Sequence, residues 1–240
     1  MRELSGVQEL RDASGDDPLV VHLIPHVDAS APLLAAGDAV LFSYDYWDGT
    51  GWQVVGPADD AVDLVVAAAK FGTVPHVALP EAAVPLLPPG LFVAGDAWRF
   101  RWTDRHPETA GDEGAWLSPE MEAEVDRFLD VAFPDASVRP RNRHARRWAG
   151  IRNASGELVA CAADSTESEV GFMASVTTHP DARRTGLALA MTRWVTHALL
   201  DEFSRVALWQ YTANTAATAL YNRLGYRDEH AFVGGHLGSS

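Results

Sequence analysis

The stretch HPDARRTGLALAMTRWV, residues 179–195, holds residue types that could do chemistry. A proline and an acid lead into Arg183 and Arg184. Thr185, Gly186, Leu187, Ala188 and Leu189 then open a run that reads as helix. The first N–H groups of a helix have no partner within it, and the peptide dipoles put partial positive charge there. Gly186 and Ala188 keep side chains out of the way, so a diphosphate could touch the backbone, with two arginines beside it. The same residues also fit a plainer account, in which Gly186 eases packing and the arginines are solvated. A P-loop needs Gly-Lys-Ser/Thr after its glycine run and a Rossmann loop needs Gly-x-Gly-x-x-Gly; neither is present.

A second stretch, NTAATALYNRLGY (214–226), follows one strand later. Asn214, Ala217, Thr218 and Tyr221 recur at helical spacing and share one face. The small residues between them leave room for a ligand, and Gly225 stands where a left-handed helix stop costs little. Read alone, Tyr221 is equally a core aromatic near a helix end.

The elements that must position these residues follow from periodicity and punctuation. RRWAGIRN and ELVACAAD flank the hairpin turn NASGE, and EVGFMASVTT is a longer strand ending in Val176, Thr177 and Thr178. A helix runs from Thr185 to about Phe203; RVALWQY is a strand, TAATALYNRLG a helix and YRDEHAFVGG a final strand. Ahead of these, Ser118 caps a helix with Pro119 at its first position and a core face of Met121, Val125, Phe128, Leu129 and Val131-Ala132. TDRHPETAGDEGAWLSPE reads as a linker.

The N-terminal half reads as a mixed α/β unit. Residues 1–17 form a polar lead-in, and LVVHLIPH, AVLFSYDYW, WQVVG, HVALP and AWRFRWTD are strands. DGTGW is a turn. ADDAVDLVVAAAKFG is a helix with Val62, Val65, Val66 and Ala69 on one face and Gly72 at its stop. EAAVPLLPPG is a proline-punctuated connection. The division expected is 1–117 and 118–240.

The 240 residues carry a net charge of −14, and 47% are hydrophobic, enough for a packed core. The acidic balance argues against nonspecific nucleic-acid or anionic-membrane binding. With one cysteine there is no intrachain disulfide, as in a reducing compartment. No stretch approaches the roughly 18 apolar residues of a membrane helix and no signal core opens the chain. The expected location is cytoplasmic. No metal-ligand spacing is present, so no metal is expected.

The segment RRTGLA (183–188) resembles the Arg/Gln-x-x-Gly-x-Gly/Ala signature of the GNAT superfamily of acetyl-CoA-dependent N-acetyltransferases. VTTHPDA resembles that family's strand end and lead-in, and NTAATALYNRLGY its second signature. The resemblance covers about residues 118–235. It implies a mixed, mostly antiparallel sheet flanked by helices, an α/β (α+β) architecture. It also implies acetyl-CoA as co-substrate and direct acetyl transfer to a primary amine of a small-molecule or peptide acceptor. The strand-strand-helix-strand order of the N-terminal half permits a degenerate second copy of the fold.

Carried over position by position, Val176, Thr177 and Thr178 would receive the acetyl carbonyl and pantetheine amides, where an N–H could stabilise an oxyanion. Arg183 through Leu189 would cradle the diphosphate. Asn214 would hydrogen-bond the pantetheine arm, with Ala217 beside it. Tyr221 would protonate the leaving thiolate.

The pattern departs at the base. Phe172 stands where the histone-modifying branch of the family has its glutamate. An attacking amine must be unprotonated, so a base is needed, acting directly or through water. Asp164, Glu167 and Glu169 are the nearest carboxylates, with Glu169 the choice; His179 in its His-Pro turn reads as structural. Cys161, in an apolar strand, reads as an inert core thiol, SYDYWDGTGW as packing aromatics and RPRNRHARR as a solvated loop. The alternative to an enzyme is a non-catalytic acyl-CoA-binding or regulatory module.

Overall fold

Apolar β-branched runs become strands here and capped amphipathic runs become helices, arranged in two units. The structure is a computed structural model and describes residues 1–46, 49–71, 76–109, 111, 113–142 and 145–238. One unit gathers Met1–Phe100, Trp209–Thr215 and Glu229–Ser240; the other gathers Arg101–Leu208 and Ala216–Asp228. The division therefore falls at Phe100–Arg101 rather than after residue 117, and the last strand returns to the first unit.

The first unit opens with β1 (Arg2–Glu3), α1 (Val7–Ala13) and α2 (Pro18–Leu23). Two sequence expectations are corrected here. The polar lead-in contains α1, and LVVHLIPH is α2 rather than a strand. Asp17 explains the second: its side chain accepts the N–H groups of Leu19 and Val20, and Pro18 occupies the first helical position. An apolar run buried on every side has no period to separate helix from strand.

Next come β2 (Leu34–Ala36), β3 (Ala39–Tyr46), β4 (Gly49–Val55), α3 (Ala58–Ala68) and β5 (Val77–Pro80). β2, β3 and β4 form an antiparallel meander; β5 returns parallel to β4, with Trp52 opposite Val77. α3 buries Ala61, Leu64, Val65 and Ala68, a face turned by about one residue from the one expected. The Gly72 stop and part of the DGTGW turn lie outside the described residues. β6 (Phe92–Thr103) begins in this unit and crosses the division.

The second unit contains β7 (Ala115–Trp116), α4 (Glu122–Ala132), β8 (Arg147–Arg152), β9 (Leu158–Asp164), β10 (Gly171–Thr178) and α5 (Leu187–Leu200). β11 (Val206–Tyr211) and α6 (Thr215–Arg223) start or end across the division, and β12 (Asp228–Leu237) ends the described strands. β7, β8, β9 and β10 are successively antiparallel, and β11 returns parallel to β10. α5 packs Met191, Val195 and Leu199 against Ala160, Ala162 and Met173 of the sheet. β12 pairs antiparallel with β5, Val233 opposite Leu79.

Three details of the second unit differ from expectation. Ser118 precedes a 3₁₀ turn, Pro119–Met121, and its side chain makes no cap hydrogen bond to that turn. Met121 and Val131 stay exposed, leaving Val125, Phe128, Leu129 and Ala132 as the buried face of α4. Among the described residues of the basic run, Arg139, Arg141, Arg146 and Arg147 are ion-paired rather than part of a solvated loop, and residues 143–144 lie outside the described residues. Arg139 is buried and donates to Asp126 at 3.0 Å, while Arg146 and Arg147 lie 3.4 and 2.9 Å from the buried carboxylate of Asp164. A carboxylate taken out of water requires such partners.

Candidate active site

β10 is bulged where it enters the site. Ala174 pairs with Ala163 of β9 and Thr177 with Cys161, so β10 carries one more residue than β9 between the two pairs. Ser175 takes the left-handed conformation, φ 48°, uncommon for a residue with a side chain. Its hydroxyl donates to Val138 O at 2.8 Å, and Thr177 Oγ1 donates to Ser175 O at 2.9 Å, which fixes the bulge. On the other edge, the ladder to β11 consists of Gly171–Val206 and Phe172–Ala207. The later residues of β10, including Val176, Thr177 and Thr178, thus have edge groups outside that ladder. Thr178 Oγ1 is buried without a hydrogen-bond partner among the described residues.

The chain then turns sharply. His179 N–H donates to Val159 O, and the His179 ring accepts the Asp181 N–H at 3.3 Å, capping the 3₁₀ turn Pro180–Ala182. Arg183 has φ −67°, Arg184 φ 65° and Gly186 φ 92°. The first bond inside α5 is Ala190 N–H to Gly186 O, so the N–H groups of Gly186 through Leu189 have no acceptor within the helix. Arg183, Arg184, Thr185 and Gly186 are exposed, and a Cβ at Gly186 would meet no protein atom within 4 Å. No acidic residue lies in the first turn of α5.

The two arginines differ. Arg183 donates to Ala132 O at 3.1 Å, at the end of α4, and has a longer contact to Thr178 O at 3.4 Å. Its guanidinium ties helix, strand end and loop together. Thr185 Oγ1 donates back to Ala182 O at 2.6 Å.

Tyr221 lies in the last turn of α6. Tyr226 N–H bonds Tyr221 O at 3.1 Å and Gly225 N–H bonds Asn222 O at 3.4 Å, the paired bonds of a helix stop with Gly225 at φ 88°. The Tyr221 ring is buried in the core of the unit, yet its hydroxyl has no hydrogen-bond partner among the described residues. Burial pushes its pKa up to about 12, with the Arg101 charge opposing. The phenol is therefore protonated at neutral pH and free to donate.

Other expected residues are placed differently. Ala217 shares α6 with Tyr221, but Asn214 precedes the helix and falls in the first unit. Glu169 is exposed ahead of β10, at the end where Gly171 N–H bonds Arg205 O. Strand rise puts it on the order of 20 Å from Val176. The structure does not bring Glu169 to the loop. Phe172 is buried in the core. Cys161 is fully buried, and burial pushes its thiol well up, so it is not a thiolate nucleophile. The Ser175 bulge and the Arg183 tether left no trace in the sequence pattern, since neither needs a glycine or a motif.

Residues 149–233 match the family model for FR47-like protein, a stretch running from β8 into β12 that includes both motifs. The matched stretch is an FR47-like, GNAT-related domain. Solved structures share the fold over nearly the whole chain. A GNAT-family protein from Novosphingobium aromaticivorans is 20% identical, with a TM-score of 0.57, covering 94% of this chain and 100% of its own. A GCN5-related N-acetyltransferase from Kribbella flavida is 19% identical, TM-score 0.56, covering 96% of each chain. One from Sphaerobacter thermophilus is 15% identical, TM-score 0.61, covering 95% of this chain and 89% of its own. No curated protein sequence matches the chain. Among the described residues, no helix is long and apolar enough to cross a membrane.

Proposed function

We propose that the chain is an N-acetyltransferase, taking acetyl-CoA as co-substrate and passing the acetyl group directly to a primary amine of a small molecule or peptide. The observation that carries this is the open, acid-free start of α5 at Gly186, directly after bulged β10. Diphosphate would lie on the N–H groups of Gly186 through Leu189, with the Arg184 charge beside it. The acetyl carbonyl and pantetheine amides would lie along Val176, Thr177 and Thr178, with an edge N–H stabilising the oxyanion. The amine nitrogen forms its bond to the thioester carbon, the C–S bond breaks, and the sulfur leaves as a thiolate. Tyr221 donates to that sulfur as charge develops. A phenol with a pKa of about 12 holds its proton more tightly than a thiol near 8.5, so its contribution is a hydrogen bond more than a completed transfer. The nitrogen loses its proton through water.

The first unit is read as a degenerate copy of the same fold. β2-β3-β4-α3-β5 repeats the order and ladder senses of β8-β9-β10-α5-β11: three antiparallel strands, a helix, then a parallel strand. Its helix α3 has Asp59 and Asp60 in the first turn, which repel phosphate where α5 attracts it.

The position of Glu169 favours a second reading, a non-catalytic acyl-CoA-binding module. Both readings predict CoA binding. Only the enzyme releases CoA thiol faster in the presence of an amine, so a thiol-reporter assay over a broad amine panel separates them. Failure of acetyl-CoA to bind overturns both.

A further inference from the structure

Three side chains with metal-binding atoms meet at the far end of α5 from the phosphate loop. His197 stands in its last turn and Asp201 is its C-cap. His106 comes from the segment after β6. His197 Nδ1 is 3.5 Å from Asp201 Oδ2, and His106 Nε2 is 4.0 Å from Asp201 Oδ1. The two imidazoles meet edge-on with centroids 4.7 Å apart. One ligand atom from each residue can be chosen so that all lie within 4.8 Å of one another.

Two imidazoles and one carboxylate suit zinc and its neighbours in the first transition row, rather than the all-oxygen preference of calcium or magnesium. Zinc with bonds near 2.0–2.1 Å holds tetrahedral ligand atoms about 3.4 Å apart. The His197–Asp201 separation already has that value, and small rotations of the half-exposed His106 and Asp201 side chains close the rest. Helical spacing holds His197 and Asp201 on one side of α5. The carbonyl end of the helix adds partial negative charge, which favours a cation there.

We propose that His106, His197 and Asp201 form a binding site for a zinc-class divalent ion, with solvent completing the coordination. The ion clips the segment after β6 to the end of α5. Leu187–Leu200 spans 14 residues, roughly 20 Å of helix, so the clip is separate from the Gly186 loop and acts on stability. It does not depend on the acyl-transfer reading. No motif announced it, because His106 is remote in sequence from the other two.

The test is calorimetric titration of the full chain, freed of metal by chelator, with zinc chloride. Saturable binding at a single dominant site is expected, weakened at least about tenfold in His106→Ala and again in His197→Ala, since each removes one of three donors. Zinc should raise the melting temperature of the parent protein and not of either variant. Cobalt(II) should give a visible tetrahedral absorption band that both variants lose. His106→Gln, with circular dichroism of every variant, guards against misfolding. Absence of saturable zinc binding overturns the proposal, as does an affinity unchanged in both histidine variants. A preference for calcium or magnesium over zinc overturns it too.

Discussion

Tyr221 and Tyr226 pack ring to ring across a helix stop, their centroids 5.8 Å apart at 59°. Tyr226 is fully buried and its hydroxyl lies 2.7 Å from Thr196 Oγ1 of α5. The Tyr221 hydroxyl is left without such a partner. One tyrosine is thus a core strut between α5 and α6, and the other is the one we propose as the donor to the leaving sulfur. The distinction gives a direct test. Tyr221→Phe keeps the ring, so kcat should fall about 10- to 1000-fold, with acetyl-CoA affinity changed less than about threefold. Steady-state kinetics and calorimetry read the two. An unaltered kcat with shifted stability would make Tyr221 a packing residue.

The Gly186 loop separates binding from stability. Gly186→Val should abolish measurable acetyl-CoA binding, though the left-handed φ of 92° also strains any side chain there. Ala188→Glu is the cleaner probe. A carboxylate in the first turn of α5 favours the helix by about 0.3–1 kcal/mol but opposes a diphosphate. Acetyl-CoA affinity should drop at least about tenfold while the melting temperature holds or rises. Retained affinity in both variants would remove the loop from the cofactor site.

Titration of the full chain with acetyl-CoA should saturate at about one molecule per chain, because the first turn of α5 is free of acids while that of α3, its counterpart in the first unit, is not. Asp59 and Asp60 occupy the corresponding turn of α3, and Asp60 already accepts the Asp38 N–H at 3.0 Å. A stoichiometry near two would contradict this.

Arg183→Ala should cost stability as well as affinity. Its hydrogen bond to the Ala132 carbonyl is part-buried and the longer one to Thr178 is exposed, so about 0.5–1.5 kcal/mol is expected in urea unfolding. Arg183→Lys should restore charge without restoring both bonds. If neither variant is less stable than the parent, the tether contributes nothing.

Glu202 accepts from Arg147 and Arg146, which hold its carboxyl below the ordinary value of 4.5. A depressed folded pKa contributes stability that is present above the unfolded value and lost as pH falls through the folded one. Stability should therefore decline on acidification below about pH 4.5, and less steeply in Glu202→Gln. Denaturation midpoints measured across that window check it; identical slopes would show that the pair is uncoupled from folding.

The second unit was legible because its segments announce themselves twice over. β8, β9, β10 and α5 have period or punctuation, and the Gly186 turn and Tyr221 fall on the elements expected of them. The first unit was less so. Its α2 lacks any polar face, and only the Asp17-Pro18 pair marked it as helix. Its boundary was obscured because β6 runs on through Arg101 without a break in pattern. Within the site, the glycine-led turn could be read from residue types. The Ser175 bulge depends on Val138 and the Arg183 tether on Ala132, contacts between segments that no local pattern encodes.

The pairing of β12 with β5 has a consequence for biosynthesis. The ribosome must deliver the whole of the second unit between those two strands. Until β12 emerges, β5 presents an open edge, a site where nascent chains are prone to stray pairing. The first unit therefore cannot complete its sheet until the second has been translated.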